Sequence, residues 1–111
     1  MTNFAIQDGT YTGEMRNGLF HGKGTFLSNE MGSYTGDYVD GLFHGRGIRV
    51  YPAGERYEGE YKNNDRNGHG IWFYKKGAIG NRYEGEFKNN EFEGKGIKYF
   101  NDGSIFDGNW K

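Results

Sequence analysis

The chain of 111 residues contains no cysteine, a single proline, and only three leucines, six isoleucines and two valines. The missing cysteine excludes a disulfide framework, a thiolate zinc site and a cysteine nucleophile. Even with phenylalanine added, the usual core formers number 20, too few for an ordinary layered α/β enzyme. An excess of one charge is lacking too. The 14 lysines and arginines face 15 acidic residues, a net charge of −1 that offers no global attraction to nucleic acid or anionic lipid. No apolar run approaches the ~20 residues with which a helix spans a bilayer. The opening segment Met1 to Asp8 has neither the charged start nor the apolar stretch of a signal peptide, and Thr2 stands where myristoylation needs glycine. The expectation is a soluble, cytoplasmic protein, one domain over residues 1–111.

Glycine and aromatic residues take the place of the missing aliphatics: 21 Gly, 9 Tyr, 9 Phe and 2 Trp. They recur with a period. Tyr11, Tyr34, Tyr57, Tyr83 and Phe106 follow one another at steps of 23, 23, 26 and 23 residues. Two residues after these anchors stand Gly13, Gly36, Gly59, Gly85 and Gly108, and four after them Met15, Tyr38, Tyr61, Phe87 and Trp110. Eleven and thirteen residues on come Gly22/Gly24, Gly45/Gly47, Gly68/Gly70 and Gly94/Gly96. The extra residues of the third step fall in Lys75 to Gly80, between units, where insertions are tolerated. Full units start near 11, 34, 57 and 83, with a partial unit over 106–111 and a half unit over 1–10.

Each unit reads as a hairpin. Tyr57-Glu58-Gly59-Glu60-Tyr61 alternates at period two, and Gly70-Ile71-Trp72-Phe73-Tyr74 is rich in β-branched and aromatic residues. Between the strands, Asn17-Gly18, Asp40-Gly41, Asn63-Asn64 and Asn89-Asn90 supply the positive φ of a tight turn. No stretch has a useful helical period, so the fold expected is all-β, hairpins in series. Setting the glycine two after the anchor opposite the one thirteen after leaves a bare backbone trough. The anchor and the aromatic four residues on can lie in it, so one sheet buries rings against its own backbone. The same register places Ile48, Val50, Ile71, Phe73, Ile97 and Tyr99 on the opposite face as a candidate protein-binding stripe, to be covered by flanking side chains or by a partner. A one-residue slip would exchange the faces and make Tyr38, Tyr61, Trp72 and Phe87 the binding side.

Residues with catalytic chemistry recur but do not converge. Glu14, Asp37, Glu60 and Glu86 hold equivalent places two strands apart, roughly 10 Å, and are expected to point to solvent rather than to act as an acid–base pair. His21 and His44 are equally far apart, too far to share a metal, and read as polar residues flanking turns. The Gly-x-Gly pairs lack the helix and the Lys-Ser or Lys-Thr of a phosphate loop. No cofactor and no nucleic acid is expected.

The segment Tyr34-Thr35-Gly36-Asp37-Tyr38-Val39-Asp40-Gly41-Leu42-Phe43-His44-Gly45-Arg46-Gly47, like Tyr83 to Gly96, resembles the membrane occupation and recognition nexus (MORN) repeat: Tyr-x-Gly-x-aromatic, a turn, then Gly-x-Gly. The resemblance covers about residues 11–111. Asn64 and Asn90 depart from it at the turn glycine, Arg66 at the aromatic seen as Phe20, Phe43 and Phe92, and Phe106 at the last anchor. It implies an elongated, twisted, single antiparallel sheet of serial hairpins. It also implies a non-enzymatic scaffold whose partners are proteins of a cytoskeletal or ciliary assembly, such as an axoneme, or a second copy of itself. The family name adds an alternative, a peripheral membrane adaptor that meets anionic phospholipid headgroups through Lys23, Arg46 and Lys95. The sequence breaks off inside a fifth unit at Trp110-Lys111, and an open strand edge there leads to the expectation of packing into a larger assembly or end-to-end joining of copies.

Overall fold

Alternation at period two sends every anchor and its glycine to one side of a strand and the polar residues between them to the other. The computed structural model describes residues 2–6 and 9–110, so the expected half unit and partial unit run at Met1, Gln7, Asp8 and Lys111 into residues outside the description. Ten strands follow in order: β1 Thr2–Ile6, β2 Gly9–Arg16, β3 Leu19–Ser28, β4 Gly32–Val39, β5 Leu42–Val50, β6 Arg56–Lys62, β7 Asp65–Phe73, β8 Gly80–Lys88, β9 Glu91–Phe100 and β10 Ile105–Trp110. They form one open antiparallel sheet in sequential order, with no helix among the described residues, and the molecule measures 46 × 26 × 18 Å.

The hairpin turns carry the expected backbone. Asn17 and Asp40 have φ of 53° and 48°, and the pairs Asn63/Asn64 and Asn89/Asn90 are left-handed at both positions. Asparagine in place of the turn glycine adds a bond to the preceding hairpin. Phe43 N donates to Asn64 Oδ1 and Arg66 N to Asn90 Oδ1, both at 2.8 Å. The register is the one that sets glycine against glycine. Gly13 faces Gly24, Gly36 faces Gly47, Gly59 faces Gly70 and Gly85 faces Gly96. Pairing between hairpins continues the row, Gly24 with Gly36 through to Gly96 with Gly108, so one line of glycines crosses the sheet from β2 to β10.

The anchors lie along that line. Tyr11, Tyr34, Tyr57 and Tyr83 are fully buried, each ring flat on the backbone of its own hairpin. Their hydroxyls donate to the carbonyl oxygens of Glu14, Asp37, Glu60 and Glu86 at 2.6–2.9 Å, so the phenol of each tyrosine anchor is satisfied by backbone three residues on. Phe20, Phe43 and Phe92 stack on three of these rings at 3.8–3.9 Å between centroids. The fifth anchor, Phe106, lies over Gly108 without such a cover and is 51% exposed.

The expectation for the aromatic four residues after the anchor needs correction. Tyr38 does not share the glycine trough; it pairs with Gly22 of the preceding hairpin and stands edge-on between Tyr11 and Tyr34, at 5.4 and 5.0 Å. Tyr61 sits likewise between Tyr34 and Tyr57, and Phe87 between Tyr57 and Tyr83. The physical reason is a bulge. Within each hairpin the returning strand carries two more residues than its partner between the glycine pair and the Met15–Phe20 type of pair. The first glycine of each Gly-x-Gly absorbs the surplus, with φ of 71°, 77°, 102° and 65° at Gly22, Gly45, Gly68 and Gly94. Interleaved edge-on rings couple each repeat to the next, and each such aromatic pair adds about 0.5–1.5 kcal/mol beyond its buried area.

Candidate functional site

The two faces differ in kind. The ring face has a floor of Tyr38, Tyr61 and Phe87, 2–4% exposed, with the anchors beneath, and a half-buried upper layer of Phe20, Phe26, Phe43, Trp72, Phe92 and Trp110. Two hollows open in it. One of about 430 Å³ is bounded by Phe20, Phe26, Met31, Tyr38, Gly41, Phe43, Arg49 and Asn64. The other, about 360 Å³, is bounded by Arg66, Trp72, Phe87, Asn90, Glu91 and Phe92. Arg66 lies between the third and fourth units where neighbouring units carry the stacking phenylalanine. Its guanidinium is 4.9 Å from the Trp72 ring centroid and donates to Tyr51 Oη at 2.7 Å and to the Asn90 carbonyl at 2.6 Å. Among the described residues the hydroxyls of Tyr38 and Tyr61 and Nε of Arg66, all buried here, find no hydrogen-bond partner. Burial drives the phenol pKa values of Tyr34, Tyr38, Tyr57 and Tyr61 far above their ordinary value.

The plain face carries Ile48, Val50, Ile71, Phe73, Ile97 and Tyr99, on the side the register predicts. They are not contiguous. Glu58 separates Ile48 from Ile71 and Glu84 separates Ile71 from Ile97, while Arg56 and Arg82 interrupt the outer row. Each arginine pairs with a glutamate, Arg56 with Glu58 at 2.9 Å and Arg82 with Glu84 at 3.3 Å. Each also lies over an aromatic ring, Phe73 at 4.3 Å and Tyr99 at 3.8 Å. Flanking side chains therefore cover the second half of the stripe, leaving Ile48 and Val50 exposed at 44% and 38%.

Further along the plain face runs a ladder of alternating charge. Lys23 is paired with Asp37, Arg46 stands opposite Glu60, His69 opposite Glu86, and Lys95 opposite Asn109. The three cations expected to meet lipid thus share one row, two of them directly beside carboxylates. The carboxylates have a structural use that the sequence reading, which aimed them at solvent, missed. Glu14, Asp37 and Glu60 accept hydrogen bonds from the backbone N–H of Lys23, Arg46 and His69 at 2.7, 3.1 and 2.7 Å, closing the bulge. Partial burial works to raise the Asp37 carboxyl, but the bonds from Lys23 and from Arg46 N–H outweigh it and hold the group below its ordinary range. Glu86 instead meets His69 Nδ1 at 3.1 Å. The histidines tie neighbouring hairpins, with His21 Nδ1 accepting from Asp40 N and His44 Nδ1 from Asn63 N at 3.2 and 3.4 Å. Among the described residues no group of three or more His, Cys, Asp or Glu side chains is placed to hold a metal ion.

No curated protein matches the chain. The family model described as MORN repeat matches it four times, over residues 11–29, 34–56, 57–79 and 83–105, which together are most of its length.

Proposed function

The chain belongs to the MORN repeat family, and on that premise we propose that it is a non-enzymatic scaffold that binds a partner protein on its ring face. The observation that carries this is the contrast between the faces. The plain side is largely self-paired, with Lys23, Arg56 and Arg82 in ion pairs and much of its apolar stripe under arginines. The ring side presents a continuous, half-buried aromatic layer with hollows of about 430 and 360 Å³. Aromatic residues, methionine and arginine are the types that concentrate in protein interfaces, and all three border the first hollow. Serial pairing of hairpins holds these side chains at a fixed pitch, two strands or roughly 10 Å per repeat. The family supports a cytoplasmic place within a cytoskeletal or ciliary assembly.

Affinity capture from cell extract with mass spectrometry, using two folded variants, tests the reading. Trp72→Ser with Phe26→Ser alters the upper aromatic layer without touching an anchor, and Ile48→Ser with Val50→Thr alters the exposed part of the plain stripe. The partner captured by wild type should be lost with the first variant and kept with the second. The reverse result moves the binding site to the plain face. Binding to phosphoinositide vesicles that disappears on reversing Lys23, Arg46 and Lys95 would support the membrane adaptor instead.

A further inference from the structure

We propose that the partner segment seated on the ring face is acidic, its carboxylates meeting Arg49, Arg66 and Lys98 while its apolar side chains enter the two hollows. This rests on the reading of that face as the protein-binding one and adds the chemistry of what it binds.

The charges of the sheet are segregated by face. Every strand carboxylate of β2–β10, from Glu14 to Asp107, alternates onto the plain side, whereas the charged strand residues of the ring side are Arg49, Arg66 and Lys98. A chain with a net charge of −1 therefore has one face whose regular strand positions carry cations alone, with Glu91 reaching only the border of the second hollow. Each stands where other units carry an aromatic residue. Arg49 and Lys98 hold the position filled by Phe26 and Trp72, and Arg66 that filled by Phe20, Phe43 and Phe92. The cations lie on rings, Arg49 at 4.7 Å from Tyr51, Arg66 at 4.9 Å from Trp72 and Lys98 at 4.8 Å from Tyr74. Among the described residues none of the three makes an ion pair.

Hydrogen-bonding capacity points the same way. Among the described residues Arg66 Nε and the Tyr38 and Tyr61 hydroxyls, buried in the same stretch of the sheet, have no acceptor. The place does not demand a hydroxyl, since Phe87 fills it in the fourth unit. The middle of the face thus carries cations without ion-pair partners, Glu91 being the carboxylate at the border of the second hollow, and a segment bearing carboxylates complements it. Nucleic acid fits less well. Bases need free ring faces to stack on, and the anchors Tyr11, Tyr34 and Tyr83 are already covered by Phe20, Phe43 and Phe92. A membrane surface would favour cations that project from the sheet, whereas these three lie along it over aromatic rings.

Random peptides displayed on phage and selected against the whole chain provide the test. Enriched peptides should carry Asp or Glu beside aromatic or aliphatic residues. Remade with Asn and Gln, they should bind about ten-fold more weakly, since two partly exposed ion pairs are each worth up to about five-fold. Arg49→Gln with Lys98→Gln, which leaves every anchor in place, should weaken the acidic peptide by a similar factor and its amide version little. Neutral or basic peptides that bind wild type and lose binding in Trp72→Ser would overturn the acidic partner while keeping the face. Peptides that bind Trp72→Ser as well as wild type, or a selection that yields no binder, would overturn the reading of the face and the proposal with it. If oligouridylate or phosphatidylserine vesicles displace the acidic peptide and depend on Arg49 and Lys98, the ligand is nucleic acid or membrane and the proposal fails.

Discussion

Alkali should unfold this protein abruptly, because its core is made of phenols. Tyr34, Tyr38, Tyr57 and Tyr61 are 0–4% exposed, and burial raises their pKa values far above the ordinary one. In the unfolded chain a tyrosine ionises at about pH 10. A pKa raised by folding gives stability that is complete below the unfolded value and is lost as pH climbs from there towards the folded value. One unit above pH ~10, each such tyrosine favours the unfolded chain by about 1.4 kcal/mol. Four together amount to roughly 5–6 kcal/mol, comparable with the 5–15 kcal/mol that holds a domain folded. Tyr11 and Tyr83, raised by burial too, add to the sum. In a titration followed by tyrosinate absorbance and by far-ultraviolet circular dichroism, both signals should therefore break together in one steep step above pH ~10. A gradual ionisation at about pH 10 with the β signal intact would refute the account, since it would mean that the rings ionise inside the folded sheet.

Three further outcomes follow from named contacts. Gly59→Val with Gly70→Val should abolish the cooperative melt of the central repeats. A Cβ at Gly59 would come within 2.7 Å of Tyr57 Oη and 2.5 Å of Gly70 Cα, one at Gly70 would run into the Tyr57 ring, and overpacking costs ~1–3 kcal/mol at each site. Glu60→Ala should cost about 0.5–1.5 kcal/mol in urea unfolding by removing the acceptor of His69 N–H, and more than Glu86→Ala, whose carboxylate meets only an exposed imidazole. Tyr61→Phe should raise the melting temperature, because it deletes a buried hydroxyl with no partner, a burden of about 1–3 kcal/mol, and a lower one would show that the hydroxyl is satisfied in solution.

Much of this architecture was legible because the repeat states each constraint several times. Four glycine pairs at the same offsets left one register in which glycine meets glycine, and that register is the one observed. The turns were legible as well, since asparagine, aspartate and glycine are the residues that accept positive φ. The bulge was not. Both glycines of Gly22/Gly24 look alike in sequence, yet one sits in the left-handed region and the other makes room for a ring. Without the bulge the carboxylates at Glu14, Asp37 and Glu60 have no visible purpose, because what they bind is a backbone N–H on the partner strand. The ring face was likewise underestimated. An aromatic at Tyr38 signals burial, but whether it lies in its own trough or between successive anchors depends on that same two-residue surplus.

Arg66 shows where repetition stops explaining the sequence. A phenylalanine at that position would stack on Tyr57 as Phe43 stacks on Tyr34, and it would leave no buried Nε without an acceptor. The arginine forgoes the stack, lying 5.9 Å from the Tyr57 centroid, and in exchange places a positive charge at the border of the second hollow of the ring face. Its bonds to Tyr51 and the Asn90 carbonyl hold the guanidinium there, and Asn90 is itself a departure from the turn glycine, with its side-chain carbonyl accepting from Arg66 N. Two departures from the repeat thus support one another at one place. Local conflicts of this kind, polar groups set into an otherwise consistent apolar layer, are what a surface under selection for binding rather than for stability would carry. Each unit supplies the same sheet; its exceptions give the ring face a charge and a middle.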